Sequence, residues 1–558
     1  MIGDLHVHTC CSDGSRTPRQ AVVEARRRGL DYVSFVDHDT TTGTAEAVTT
    51  GLRLGVSVIP GVEVSAWDPK RGRKVHVLGY NYRLPATAIE RLCRPTREAR
   101  DANTRRQIDE IRAAGFDLSL KAVLDRARDA SGECAPCLYK QHVMLALIDA
   151  GYTDSIYSDL YRELFKGDGP AAHDIAYVDV YRAIDAIHAD GGRAVLAHPG
   201  QLDSWDLVPE LAAVGLDGIE LLHEDHDGDD RRRVRELAAE HRLFMTGGSD
   251  DHGEYGSTTG MGELCAPDHA FAAITRPADS DVAWCVDLVR RADGIARDAA
   301  AAESREVTRK GGAVRDLVTE HDVAVERFLV DEIRTRHPDH GFLTEEHDHP
   351  QSGEAHRWVI DPIDGTTNFV NARADFAISV AHYRGAVPVF GVVYDVMADE
   401  LYLGIAGEGA WLNGVGLPGY RHDAPTTLGD SVVGCSLNGA HRLSGYASAR
   451  TDRLATATRA QRAHGSAALA ICRIARGTLD AYIAPGLAFW DYAAARIIAL
   501  EAGGSIAVGP PEEDDRLPER AGLLDGERRL VVAAAGKTLL EEVHSAILGD
   551  MRGLRTLR

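Results

Sequence analysis

The sequence predicts two dissimilar domains in tandem: an α/β half, then a half that mixes helices with antiparallel strands. Three observations lead there. At 558 residues the chain exceeds what one hydrophobic core serves, and roughly two to four domains is the expectation. Over residues 1 to about 265, short β-rich runs alternate with helix-like segments. From residue 356 onward, apolar runs of about eight residues are broken by turn signals such as RGAVP and MADEL, the rhythm of antiparallel strands. The halves share neither motif nor rhythm, so they read as different domains joined together.

Composition fits globular domains, with 44% apolar and 26% charged residues. A formal charge of −23 argues against binding duplex nucleic acid by phosphate neutralisation. It leaves room for a small phosphorylated substrate, because bound cations set the local field. No apolar run reaches the length of a membrane helix, and the N-terminus lacks a charged segment followed by an apolar one. Nine scattered cysteines argue against a disulfide framework, and a cytoplasmic location is expected. CAPC at 134–137 stands without a second pair and reads as a bland feature.

In chain order, the first strand carries DLHVHT, and RTPRQAVVEARRRG follows as a helix that starts around Ser15–Pro18 and stops at Gly29. The later strands are GLDYVSFVDHD, GVSVIPGVEVS, KVHVLGYNY, GGRAVLAHPG, GLDGIELLH and HRLFMTGGSDDH. Strands that end in polar residues and alternate with helices imply a barrel or layered sheet with its site at the strand C-termini. Residues of about 97–172 are charged and helical and look like an inserted cap. Residues 266–282, rich in Pro and small side chains, read as a linker, and 283–311 as a helical run opening the second domain, 283–558.

His6 and His8, two apart in a strand, point to one face. Asp13, His38, Glu63, His76, His198, Asp250 and His252 follow or end the other strands, so a barrel would gather all nine at one mouth. A mixed imidazole and carboxylate set repeated at strand ends has no packing rationale. It suits zinc, manganese or iron, and clustered ions of this kind serve phosphoester hydrolysis.

The runs DLHVHTCCSDG, VDHDT, PGVEVS, HVLGY, GGRAVLAHPG and GSDDHG resemble the successive motifs of the PHP (polymerase and histidinol phosphatase) family over residues 1–265. The resemblance implies a distorted (β/α)7 barrel holding three divalent transition metals (Mn, Zn or Fe). It implies His6, His8, Asp13, His38, Glu63, His76, His198, Asp250 and His252 as ligands, Glu63 bridging two ions. The cap resembles that of the subgroup acting on nucleoside 3′,5′-bisphosphates and RNA 5′ ends. Where that subgroup has an Arg-Pro-His run, this chain reads YKQHVMLALIDAGY, which makes Lys140 and His142 the matching substrate contacts. Lysine lacks the bidentate fork of arginine.

In the second half, WVIDPIDGTTNF ends an apolar strand with Asp361 and Asp364, and Gly365 then permits a tight turn into a helix. Acids for cations and free backbone N–H groups for phosphate thus meet in one turn. Glu345, Asp491 and Asp322 lie in further acidic runs, and an all-oxygen set suits Mg²⁺. DLVTEHD, TEE, DPIDGTTNF, GVVYDVMADELYLGIAGEGAWLNG, RAHGSAAL and WDYAAARIIALEAGG resemble the inositol monophosphatase superfamily across about 283–550. That implies a layered αβαβα sandwich and hydrolysis of phosphomonoesters with two or three Mg²⁺. Glu345, Asp361, the Ile363 carbonyl, Asp364 and Asp491 would bind metal, and Gly365 and Thr366 phosphate. Asp322 with Thr366 would activate water, and Gly465 and Ser466 would lie in the substrate-contact loop. Where inositol-cleaving members carry a glutamate, this chain has Ala484.

Together the resemblances imply a bifunctional hydrolase of phosphoric esters acting on nucleotide or sugar bisphosphates, the 3′,5′-bisphosphate nucleotide type foremost. A sequential pairing, a cyclic or linear phosphodiesterase followed by a phosphomonoesterase, is equally compatible. Histidinol-phosphate or inositol-phosphate hydrolysis is the alternative within the class, and a phospholigand sensor with one inactive domain the alternative outside it. No membrane or duplex nucleic acid partner is expected, and relatives of the sandwich fold make a homodimer an expectation.

Overall fold

The computed structural model describes residues 1–128, 135, 137–256, 259–277, 279–301, 307–309, 317–347, 349, 355–419, 424–444, 449–509, 527–549 and 555–557. Cys134 of the CAPC run and part of the expected 283–311 helix lie outside them. The chain divides into two units, Met1–Thr275 and Arg276–Arg558.

The first unit begins with β1 (Gly3–Val7), α1 (Pro18–Arg27), β2 (Tyr32–Phe35), α2 (Thr44–Leu54), β3 (Ser57–Asp68) and β4 (Arg73–Tyr80). Thr17 caps α1 through the Gln20 N–H, Gln20 reaches back to Thr17, and Pro18 opens the helix where its missing N–H costs nothing. Four cap helices follow: α3 (Thr87–Ala113), α4 (Leu120–Arg126), α5 (Lys140–Asp149) and α6 (Asp159–Phe165). The chain returns through β5 (Val178–Asp179), α7 (Val180–Ala189), β6 (Arg193–Leu196), α8 (Val208–Ala213), β7 (Gly218–Leu222), α9 (Gly228–His241), β8 (Phe244–Gly247) and α10 (Ala270–Thr275).

The strands run in the order β1-β2-β3-β4-β6-β7-β8, with β5 added beside β3. A parallel bridge from Val7 to Asp251 brings the end of this path back against β1, so the sheet is nearly closed and barrel-like. Strand β4 runs antiparallel to both neighbours, a departure from a regular alternating barrel. Valines and alanines of β3, β4 and β6 pack under α7, α8 and α9. The cap has a hydrophobic cluster of its own, built on Ile108, Val123, Val143, Leu147 and Leu164. The helix that enters it is continuous from Thr87, ten residues ahead of the charged run that marks the cap in the sequence.

The second unit starts with α11 (Ser280–Ala301), β9 (Val307–Arg309), β10 (Leu317–Thr319), α12 (Glu320–Arg336), β11 (Gly341–Thr344), β12 (His356–Asp364) and α13 (Thr366–Asn371). The expected linker, 266–282, therefore carries α10 and the first residues of α11, and the expected helix over 283–311 gives way to strand at Val307. Next come β13 (Ala377–Arg384), β14 (Val387–Asp395), β15 (Glu400–Ile405), β16 (Gly409–Leu412), β17 (Val415–Gly416) and β18 (Val432–Gly434). The rest is α14 (Leu437–Leu443), α15 (Asp452–Thr456), β19 (Ala460–Arg462), α16 (Ala467–Arg476), β20 (Ala481–Leu487), α17 (Ala493–Glu501), β21 (Ser505–Gly509), β22 (Arg529–Ala534), α18 (Lys537–Val543) and β23 (Arg555–Leu557).

Strands β11 to β17 pair in sequence order in one sheet, and a second sheet runs β19-β18-β20-β22-β21-β23. Helices α16 and α17 touch strands of both sheets. Helices α11 and α12 lie against the first sheet, and α18 against the second. Small residues permit this closeness: a Cβ at Gly391 or Gly404 would collide with the α17 backbone at 2.6–2.7 Å.

Candidate active sites

In the first unit the C-terminal ends of β1, β2, β6, β7 and β8 converge. The structure brings all nine sequence-predicted residues of this unit into one buried cluster around Glu63. The Glu63 carboxylate lies 2.7 Å from His76 Nδ1, 3.0 Å from His198 Nε2 and 3.3 Å from both His8 Nε2 and His38 Nδ1. His6 Nε2 is 3.5 Å from Glu63 and 3.3 Å from Asp250. Asp13 Oδ1 faces His252 Nε2 at 3.5 Å. Asp250 takes a left-handed backbone (φ +53°), which turns its carboxylate back into the cluster.

Two participants lie outside the predicted set. His223 Nε2 sits 3.3 Å from Asp250, and Glu220 is fully buried behind His6. Glu220 accepts from His6 Nδ1 at 2.9 Å and from the His198 backbone N–H at 2.8 Å. The available signal was the acid inside the apolar run GIELL, an expensive residue to bury without a task.

Burial pushes the Glu63 carboxyl up, yet the surrounding His38, His76 and His6 hold it well below the usual range. Burial likewise lowers His8, but Asp250 and Glu63 outweigh it and raise the ring to about 10. Buried His6 Nε2, both His8 ring nitrogens, His38 Nδ1, His76 Nδ1 and Asp13 Oδ1 have no hydrogen bond. Buried lone pairs of mixed nitrogen and oxygen character, aimed at each other, fit divalent transition metals.

The cap reaches this cluster directly. Gln141 Nε2 donates to Asp13 at 2.9 Å, and Tyr139 donates its hydroxyl to the His38 carbonyl at 3.0 Å. Lys140 is half-buried, and Lys74, Lys166 and Arg100 add repulsion to a burial that already lowers it, while Asp174 opposes them. His142 is buried, and its Nδ1 accepts the Tyr139 N–H at the start of α5. This assigns one face of the ring to helix capping.

In the second unit a cavity of about 300 Å³ is lined by Glu345, Asp361, Ile363, Asp364, Gly365, Thr366, Gly465 and Asp491, with Arg462 and Arg528 at its wall. Burial, then Glu345, Asp364 and Asp491, drive the Asp361 carboxyl well above its usual range. Burial lifts Asp364 to about 6 despite its hydrogen bonds from Ser466 and the Ala468 and Ala467 N–H groups. Four carboxylates gathered in one cavity, all hard oxygen donors, fit Mg²⁺. The Thr366 hydroxyl lies 3.4 Å from Asp322 Oδ1 and 3.2 Å from the Ile363 carbonyl.

Gly365 adopts φ +96°, a left-handed conformation open to glycine, at the tight turn expected there. Gly465 is equally constrained, since its Cβ would sit 2.7 Å from Asn368. Ser466 precedes α16 and caps it. It is buried, and its hydroxyl donates to Asp364 and accepts the Leu469 N–H.

A family model of the PHP domain matches residues 4–154, and one of the inositol monophosphatase family matches 279–548. The phosphoribosyl 1,2-cyclic phosphate 1,2-diphosphodiesterase of Eggerthella lenta is 47% identical over 262 residues, 47% of this chain and 98% of that protein. Inositol monophosphatase 1 of Bos taurus is 32% identical over 280 residues, 47% of this chain and 92% of that protein. This chain belongs to both families. The inositol-1-monophosphatase of Bacillus subtilis, 36% identical over 192 residues, covers 34% of this chain and 71% of itself. The protein is a metal-dependent phosphoesterase, a hydrolase of phosphoric esters with a PHP unit and an inositol monophosphatase unit. Its substrate is a phosphorylated small molecule. Among the described residues no helix is long and apolar enough to cross a membrane.

Proposed function

We propose that the PHP unit hydrolyses a cyclic phosphodiester carried on a phosphoribosyl group, and that the inositol monophosphatase unit removes a phosphate from the monoester formed. The observation that carries this reading is the 47% identity spanning 98% of the Eggerthella lenta diphosphodiesterase. It favours the sequential pairing over a 3′,5′-bisphosphate nucleotide as first substrate. Joining both units in one chain raises the local concentration of the intermediate at the second site.

In this reading His6, His8, Asp13, His38, Glu63, His76, His198, Asp250 and His252 hold Mn, Zn or Fe, with His223 added beside Asp250. Glu345, Asp361, the Ile363 carbonyl, Asp364 and Asp491 hold Mg²⁺. Bound divalent ions supply Lewis acidity toward a phosphoryl oxygen. The chain's own residues do the rest. Glu220 orients His6 through its Nδ1–H, and Asp37 fastens the loop after β1 by accepting from Thr9 and Ser12. Lys140, Lys74, Lys166 and Arg100 attract the substrate's second phosphate beneath the cap. In the other unit Thr366 and Asp322 hold the attacking water, and Asp322 takes its proton. The backbone N–H groups of Gly365 and Thr366 face the phosphate, and Ser466 keeps Asp364 in place. Ala484 offers no polyol contact, which favours a sugar phosphate over inositol phosphate.

The test is phosphorus NMR of phosphoribosyl 1,2-cyclic phosphate, with 3′,5′-bisphosphate nucleotides and inositol phosphate in parallel. Wild type should pass from the cyclic ester through a monoester to free phosphate. Asp250→Asn should leave the cyclic ester intact, and Asp361→Asn should accumulate the monoester. A wild type that leaves the cyclic ester untouched while cleaving the nucleotide overturns the reading. The elution volume of the same preparation reads the expected homodimer.

A further inference from the structure

We propose that the inositol monophosphatase unit carries a further cation site, built from His340, His356 and His382, that takes a divalent transition metal such as zinc, nickel or copper rather than magnesium.

Sheet register assembles it. Gly341 pairs with Arg357, which sets His340 beside His356, and Trp358 pairs with His382, which sets His382 diagonally across from His356. Residues 356 and 358 share a face by the period of two, so three neighbouring strands present imidazoles to one spot. One ring nitrogen from each of the three lies within 4.8 Å of the others. The closest pair, His356 Nδ1 and His382 Nε2, is 3.1 Å apart. Two ligands on a tetrahedral zinc stand about 3.3 Å apart, given zinc–nitrogen bonds of about 2.0–2.1 Å. His340 and His356 are only half-buried, so small ring rotations can close the wider separations.

The donor set defines the ion. Three imidazoles suit borderline-soft cations rather than Mg²⁺, which prefers oxygen ligands, and among the described residues no carboxylate joins the three. The nearby acid Asp281 is engaged elsewhere, 2.7 Å from Arg336 and 3.8 Å from His337. The place is distinct from the catalytic cavity. His356 opens β12 and Asp361 lies five residues further along the strand, about 17 Å at the usual rise.

Trp358 supplies a reporter. Its indole N–H donates to His340 Nδ1 at 3.0 Å, and its ring stacks on His382 at 4.7 Å. A cation that takes this lone pair displaces the indole N–H, and Cu²⁺ held there quenches Trp358. Bound metal would tie β11, β12 and β13 together at the ends remote from Asp361, stabilising the unit by mass action.

The experiment uses the full chain, equilibrated with Zn²⁺ and freed of excess by gel filtration, as wild type, His340→Gln and His356→Gln. Wild type should retain one more zinc per chain than either variant. A component of Cu²⁺ quenching should vanish in both variants, and Mg²⁺-supported monoester hydrolysis should be the same in all three. Anomalous diffraction at the zinc edge should give a peak among the three rings. Equal zinc content and equal quenching in wild type and both variants overturn the proposal and leave a metal-free imidazole stack. An anomalous map with peaks only in the catalytic clusters does the same, and needs no variant to fold.

Discussion

Glu220→Gln isolates a residue that touches neither substrate nor, in the proposed ligand set, an ion. The Glu220 carboxylate, fully buried, accepts two N–H groups: His6 Nδ1–H at 2.9 Å and the His198 backbone at 2.8 Å. Burial raises its carboxyl, but the charge and hydrogen bond of His6 prevail and hold it at about 2. Glutamine keeps one carbonyl oxygen and turns an NH₂ toward the other donor, so one buried N–H loses its acceptor. That costs about 1–3 kcal/mol, or roughly 5- to 150-fold in an equilibrium. The range overlaps the 10- to 100-fold typical of removing a group that orients a metal-bound histidine. The Mn²⁺ activation curve of cyclic-ester hydrolysis is the assay. Its midpoint should move up by about 10- to 100-fold, with Mg²⁺-dependent monoester hydrolysis unaltered. A variant that folds with an unchanged midpoint would refute the assigned role, because His6 would then be oriented without its acceptor.

Stripping the chain with a chelator should abolish both activities, and Mg²⁺ alone should restore only monoester hydrolysis, Mn²⁺ the cyclic-ester step; recovery is read by phosphate release. Lys140→Ala should raise KM for a substrate with a second phosphate by about tenfold, the order of one charge-assisted contact, with little change in kcat. Burial holds His142 neutral, its ring lowered from 6.5 to about 4. Between those values the unfolded chain binds more protons than the folded one, so stability falls as pH drops through the window. Urea midpoints at pH 7 and pH 5 should therefore differ less in His142→Gln than in wild type. Ser466→Ala should lower monoester kcat more than it alters KM, because the hydroxyl grips Asp364 rather than substrate.

By itself the sequence determined the division into two dissimilar parts and most of the side chains that the fold gathers into each cluster. Strand ends are legible because His6 and His8, or Asp361 and Asp364, interrupt apolar runs with groups that packing does not explain. Gly365 was legible because a turn of that kind requires a left-handed backbone. Distance relationships between remote segments were not. Only the closing of the sheet puts Glu220 behind His6, 214 positions away in sequence. Ser466 reads as a loop residue until α16 is docked, and then its hydroxyl meets Asp364. His340, His356 and His382 sit at ordinary strand edges in the linear chain. The pairing of β11, β12 and β13 alone makes them neighbours, because register is settled by burying the opposite face of the sheet, and no local pattern encodes it.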